Sequence, residues 1–190
     1  MDDGGVAPAR HKLDVETLYR MADAGIFGED DRIELIDGEL IDMAPIGCDH
    51  AATVNGLTQV LIMACYGRAT VSIQNPVRID TFNEPQPDLV VLRLRADNYH
   101  KEPRGGPEDA LLVVEVADTS LRFDRTVKLP LYARAGFAEV WIVDLKHRVL
   151  NAYRDSSDGE YATVQTYRAG DSIALALAPD IAITLNGVFE

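Results

Sequence analysis

Apolar and polar positions alternate along this chain with two periods, and the changes of period divide it into short helices and strands. In "DVETLYRMADAG" the residues Val15, Leu18, Tyr19 and Ala22 recur at helical spacing. Asp14 stands where an N-cap carboxylate accepts the first free N–H, and Gly25 ends the run. "RIELIDGELIDMAP" carries Asp37-Gly38, a pair suited to a two-residue type I′ turn, and predicts a hairpin with strands over 32–36 and 39–43. "HAATVNGLTQVLIMACYG" predicts a helix ending at Gly67, with Val54, Leu57, Leu61 and Ala64 facing inward.

"TVSIQNPVRID" is β-branched, and Pro76 within it points to a bulge or an edge strand. "PDLVVLRL" reads as a strand entered through Pro87, and a basic, Gly-containing loop over Asn98–Gly106 leads to an apolar strand at Ala110–Val116. A helical stretch then runs to Ala135 and is closed by Gly136; Pro130 inside it marks a kink or the first turn of a restarted helix. "AEVWIVDL", "RVLNAYRD" and "EYATVQTYR" form a strand series with Ser156–Gly159 as a hairpin loop, and Trp141 falls on the core side. Residues 1–11 read as a flexible N-terminus and 12–190 as a single mixed α/β (α+β) domain.

At 190 residues the chain can bury a full core. No apolar stretch reaches the roughly 20 residues of a membrane span, so no membrane partner is expected. Cys48 and Cys65 stand apart from any CxxC pair, and a reducing cytoplasm is the simplest compartment. The formal net charge of −13 weighs against nucleic acid binding in general. Its distribution narrows that objection, because between Arg93 and Arg134 eight bases meet seven acids.

Inside that balanced segment lies an anomaly. Glu115 interrupts the apolar run "LLVVEVA", where an unpaired carboxylate would be costly to bury. Strand alternation puts Glu115 and Ala117 on one face and Val116 on the other. Asp88 opens the preceding strand and Lys128 lies in the following helix. Two carboxylates on neighbouring strands, with the adjacent Val116 carbonyl, make an oxygen site suited to Mg²⁺ (or Mn²⁺). A lysine beside them could orient or deprotonate water, with a lowered pKa if partly buried. These are parts for phosphodiester hydrolysis. Taken singly, each residue also has a plain structural reading: Asp88 as a turn residue, Glu115 and Lys128 as a core salt bridge, Asp124 as a helix cap and Arg125 as a surface charge.

The order "PD", "VVEV", "DRTVK", "LYARAGFAEVWIVD", preceded by "IELIDGELIDMAP" and His50, resembles the putative restriction endonuclease family of the PD-(D/E)XK superfamily. The resemblance covers most of the chain up to about Tyr153. The superfamily carries its lysine two residues after the second acid; here Ala117 stands there, and the family resembled commonly supplies the amine from the next helix, where Lys128 lies. The resemblance implies a restriction-endonuclease-like core, a central mixed β-sheet flanked by helices, with an N-terminal helix and β-hairpin. It implies metal ligation by Asp88 and Glu115 and a catalytic amine at Lys128; Glu34, His50 and Gln74 match further signature positions.

The expectation is therefore a Mg²⁺-dependent endonuclease acting on DNA, taken as duplex, with a homodimer as one way to cut both strands. The expected phosphate contacts are Arg93, Arg95, Lys101, Arg104, Arg122 and Arg125, which share the balanced segment. The alternatives are a catalytically silent nucleic-acid-binding or interaction protein that retains the fold, and a hydrolase of smaller phosphoesters.

Overall fold

The computed structural model describes residues 10–28, 30–100 and 105–189. The anticipated flexible terminus at 1–11 therefore lies outside the described residues except for Arg10 and His11, as do Lys101 and Arg104. The N-terminal helix α1 (Val15–Asp23) begins at Asp14, whose Oδ1 accepts a hydrogen bond from the Thr17 N–H at 2.7 Å. The hairpin of β1 (Ile33–Ile36) and β2 (Glu39–Asp42) turns through Asp37 at φ 51° and Gly38 at φ 72°, the two positive angles of a type I′ turn.

Six strands form the central sheet in the order β3 (Ala69–Ile73), β4 (Leu89–Arg93), β5 (Ala110–Ala117), β6 (Glu139–Asp144), β7 (Val149–Ser157) and β8 (Glu160–Tyr167). Only the β5–β6 pair is parallel, so the sheet is mixed. A parallel pair needs a crossover, and residues 121–135 supply it. The expected strand at "TVSIQNPVRID" is shorter than its pattern: β3 is an edge strand that stops at Ile73, where Gln74 turns into the left-handed region at φ 50°. A second hairpin, β9 (Ser172–Leu175) and β10 (Ala178–Thr184), lies in a stretch to which the pattern assigns no element.

Alternation sorts the strands into two cores. On one face Leu89, Val91, Leu112, Val114, Val116, Trp141 and Val143 pack under α2 (Cys48–Cys65) and the β9–β10 hairpin. On the other, Val90, Val113, Ala117, Val140 and Ile142 pack with Tyr132 and Phe137 of the crossover. Glu115 belongs by alternation to this second face. Trp141 is fully buried; its Nε1–H donates to Glu139, which also accepts from Arg154 and from the Ala176 N–H, joining β6, β7 and the second hairpin.

The crossover is not one regular helix. After α3 (Leu121–Phe123) comes a π-helical turn, Asp124–Lys128, and then α4 (Leu129–Ala135), closed by Gly136 at φ 85°. Pro130 explains the break. It has no N–H to offer the carbonyl four residues back, and its ring would clash there. The helix widens just before it: the Leu129 N–H reaches back five residues to the Asp124 carbonyl. Among the described residues, no helix is long and apolar enough to cross a membrane.

The C-terminal tail presses on α2. A Cβ built at Gly56 would lie 2.8 Å from the backbone oxygen of Gly187, which cannot swing aside as a side chain can. Gly56→Ala therefore sets an overpacking cost of about 1–3 kcal/mol against a helix-propensity gain of about 1 kcal/mol. A net loss of roughly 1 kcal/mol, or about 2–4 °C in melting temperature, is expected for a protein of this size. A melting temperature that rises would show the tail does not hold this contact.

Candidate active site

The site lies at the end of the sheet where β4 begins and β5 finishes. The β4–β5 register pairs Leu89 with Val114 and Val90 with Val113, so its continuation sets Asp88 opposite Glu115 and Pro87 opposite Val116. In a continued ladder, residue 87 and Val116 would exchange N–H and C=O bonds. Proline has no N–H, so that exchange stops, and the Val116 N–H donates instead to Asp88 Oδ2 at 2.8 Å. N–H and C=O of one strand residue point to the same neighbour, and the Ala117 carbonyl serves the β6 side by accepting from Leu145 N–H. The Val116 carbonyl thus faces the Asp88 side, where Pro87 offers it no donor. The proline frees a backbone oxygen beside two carboxylates.

Glu115 is 4% exposed and its neighbours account for its burial. Lys128 Nζ lies 3.2 Å from its Oε1 and 3.3 Å from Oε2, and the Tyr132 hydroxyl donates to Oε1 at 2.6 Å. The same ammonium donates to Glu34 Oε1 at 2.7 Å, which also accepts the Gln86 N–H at 2.7 Å. Burial pushes the Glu115 carboxyl well above its ordinary range, and Lys128 opposes this only in part. Burial works against the Lys128 ammonium, but Glu115, Glu34 and Asp124 outweigh it and raise its pKa. The lowered lysine pKa expected from the sequence is therefore corrected. Lys128 stands here as a buried cation that donates to the carboxylates of both Glu34 and Glu115.

His50, in the first turn of α2, sets Nε2 3.2 Å from Asp88 Oδ2. That hydrogen bond raises the histidine pKa, burial opposing it. Its Nδ1 is buried without a hydrogen-bond partner among the described residues. Asp124 is not the helix cap read from the sequence. The π-helical turn carries it inward, 3% exposed, where it accepts from Ser120 Oγ at 2.6 Å and burial raises its pKa. Glu34, His50, Asp88, Glu115, Val116, Asp124 and Lys128 all line one cleft of about 350 Å³, with Arg32 and Asp118 at its walls.

Other expected residues fall elsewhere. Gln74 does not line the cleft; its N–H donates to the Asp88 carbonyl at 2.9 Å, so it braces the strand that carries Asp88. Arg93 closes the opposite end of β4, about 17 Å from Asp88 at some 3.4 Å per residue, and Arg95 lies beyond it. Arg95 holds Asp97 at 3.0 Å and Asp109 at 3.5 Å. Strand direction separates them from the cleft, which proximity in sequence did not reveal. Arg122 and Arg125 are exposed on the crossover near the cleft. Sequence reasoning missed Tyr132, whose i, i+4 spacing from Lys128 on one helical face was the available signal.

Among the described residues no three His, Cys, Asp or Glu side chains form a ready-made metal cage. Two carboxylates with a backbone oxygen suit an ion that keeps several of its own waters, as Mg²⁺ does. Asp88 Oδ1 carries no hydrogen bond among the described residues.

The model of the Uma2 family, described as putative restriction endonuclease, matches residues 15–186. A crystal structure of a putative nuclease belonging to DUF820 from Anabaena variabilis superposes with a TM-score of 0.64 at 12% identity, covering 89% of this chain and 96% of that one. At that identity the likeness establishes the fold. No curated protein matches the sequence.

Two outcomes follow from these charges. Lys128→Met leaves buried carboxylate without its cation and should cost about 3–5 kcal/mol near neutral pH. Glu115 has a folded-state pKa above its unfolded one, so the folded variant takes up the proton first and regains stability as pH falls through that pKa. Urea unfolding at two pH values should show the deficit shrinking toward acid; a pH-independent deficit would point to lost packing instead. For His50, an NMR titration should give a pKa above the ordinary histidine value in the wild type and a lower one in Asp88→Asn. Equal values would mean Asp88 does not hold the imidazole.

Proposed function

Because this chain belongs to the Uma2 family of putative restriction endonucleases, we propose that it is a divalent-metal-dependent endonuclease that hydrolyses phosphodiester bonds in duplex DNA. One observation carries the reading: an ammonium shared by Glu34 and Glu115 stands in the same cleft as Asp88, beside a backbone carbonyl freed by Pro87. Residues 12–190 then act as one nuclease-like domain.

Asp88, Glu115 and the Val116 carbonyl would hold Mg²⁺ or Mn²⁺. Such an ion, when bound, supplies Lewis-acid charge on a phosphoryl oxygen and acidifies water. The chain's own groups do the rest. The Val116 N–H and His50 fix the Asp88 carboxylate, and Tyr132 fixes Glu115. Lys128 keeps its proton and donates a hydrogen bond to attacking water or to the phosphate, where its charge offsets the negative charge that builds in the transition state. Water attacks phosphorus and gives its proton to bulk solvent, while the bond to the leaving sugar oxygen breaks and that oxygen takes up a proton from solvent. Two such clefts, in a homodimer, would cut both strands.

A second reading is a catalytically silent nucleic-acid-binding or interaction protein that retains the fold, and the net charge of −13 favours its interaction form. Nicking of supercoiled plasmid separates the two. The wild type should nick with Mg²⁺ or Mn²⁺ and stop in EDTA. Asp88→Asn and Glu115→Gln keep volume and most hydrogen bonds, and each should lose about 10²-fold or more of the rate, the scale of one transition-state electrostatic group. Metal should raise the wild-type melting temperature by mass action and that of Asp88→Asn much less. Binding to plasmid with no metal-dependent nicking would establish the silent reading.

A further inference from the structure

The exposed bases of this acidic chain are not spread evenly over the sheet. β5 and β6 run parallel and finish at Ala117 and Asp144, the end where β4 begins with Asp88 before it. The chain turns there through Lys146, His147 and Arg148 into β7. β8 returns to the same end, pairing Tyr167 with Leu150, so its continuation sets Arg168 opposite Val149. Arg122 and Arg125, on the crossover, complete the group. Arg122, Arg125, Lys146, Arg148 and Arg168 are all exposed.

Arg10, Lys12, Arg68, Arg78, Arg95 and Arg154 each hold a carboxylate. Among the described residues, Arg122, Lys146, Arg148 and Arg168 hold none, and Arg125 meets only Asp144, at 3.8 Å. Their lack of carboxylate partners is shared, among the described residues, by Arg20, Arg32, Arg93 and Arg134, but of these only Arg32, at the cleft wall, lies at this end of the sheet. Asp144 also takes His147 Nδ1 at 2.9 Å, so one buried carboxylate ties the crossover to the β6–β7 turn. The Leu145 N–H, bonded to the Ala117 carbonyl at 3.1 Å, anchors that turn to the end of the strand that bears Glu115. The acids exposed nearby include Asp42 and Asp118, which line the cleft, and Asp171, which accepts the Arg168 N–H.

We propose that these five bases are a phosphate track for duplex DNA, receiving the backbone on one side of the cleft. The proposal rests on the nuclease reading and adds where the substrate lies. From β5 to β8 is three strand spacings, about 14 Å, the length of about four nucleotide steps at 3.4 Å. The turns that carry Lys146, Arg148 and Arg168 are held by backbone and carboxylate contacts, while those side chains stay exposed. None of the large exposed apolar side chains lies in it, which sets it apart from a lipid surface or a protein docking patch.

The test is binding of a 30-base-pair duplex in EDTA, where no cutting occurs, across a salt series, beside plasmid nicking with Mg²⁺. The triple variant Lys146→Gln/Arg148→Gln/Arg168→Gln should flatten the log–log salt slope by about 0.9 per lost contact, up to roughly 3. Arg93→Gln/Arg95→Gln, at the opposite sheet end, should leave the slope as it is. Circular dichroism melts control for folding. An unchanged slope in the triple variant, with wild-type binding and nicking intact, overturns the track and spares the nuclease reading. A wild type that neither binds nor nicks overturns both. Equally tight, equally variant-sensitive binding to anionic phospholipid vesicles would overturn the assignment to DNA.

Discussion

The Lys128 ammonium is the one charge on which the site depends. Glu34 comes from the N-terminal hairpin, Glu115 from the middle of the sheet and Lys128 from the crossover between the two parallel strands. All three are almost wholly buried. Each carboxylate alone would carry an unmet desolvation cost, and the ammonium meets both at once while Tyr132 and the Gln86 N–H take further lone pairs. Three separate parts of the fold are therefore held in register by electrostatics that also place the cation of the proposed site.

Proline 87 and proline 130 act on that centre in different ways. Pro87 ends a ladder, which turns the Val116 N–H toward Asp88 and leaves the Val116 carbonyl without its ladder partner. Pro130 removes a helical donor and is preceded by a π-helical turn, and that turn carries both Asp124 and Lys128 into the cleft. In each case a missing N–H creates local irregularity, and the irregular backbone is where functional groups collect.

The sheet also has two chemically different ends. One gathers the acids of the cleft beside surface bases that, among the described residues, mostly hold no carboxylate; the other holds Arg93, also without one, and Arg95, paired with Asp97 and Asp109. A net charge of −13 averages over this and hides it. Whether a polyanion is repelled depends on the end it meets, since screening confines surface charges to about 8–10 Å in ordinary salt.

Much of this was legible in the chain alone. Asp14 caps, Asp37-Gly38 turns and Gly136 closes a helix because backbone sterics act over a few residues, and alternation by itself put Glu115 and Val116 on opposite faces. The same logic made Glu115 conspicuous, since a lone acid in an apolar strand requires a partner. Only the tertiary structure decided which partner, and that three neighbouring carboxylates outweigh burial and raise the Lys128 pKa. It alone moved Asp124 from helix cap to cleft wall, withdrew Gln74 to a backbone brace, and sent Arg93 and Arg95 to the far end while bringing Lys146, Arg148 and Arg168 to the near one. These outcomes turn on strand direction, register and desolvation, which depend on segments far apart in sequence and leave no trace in the local pattern of any one of them.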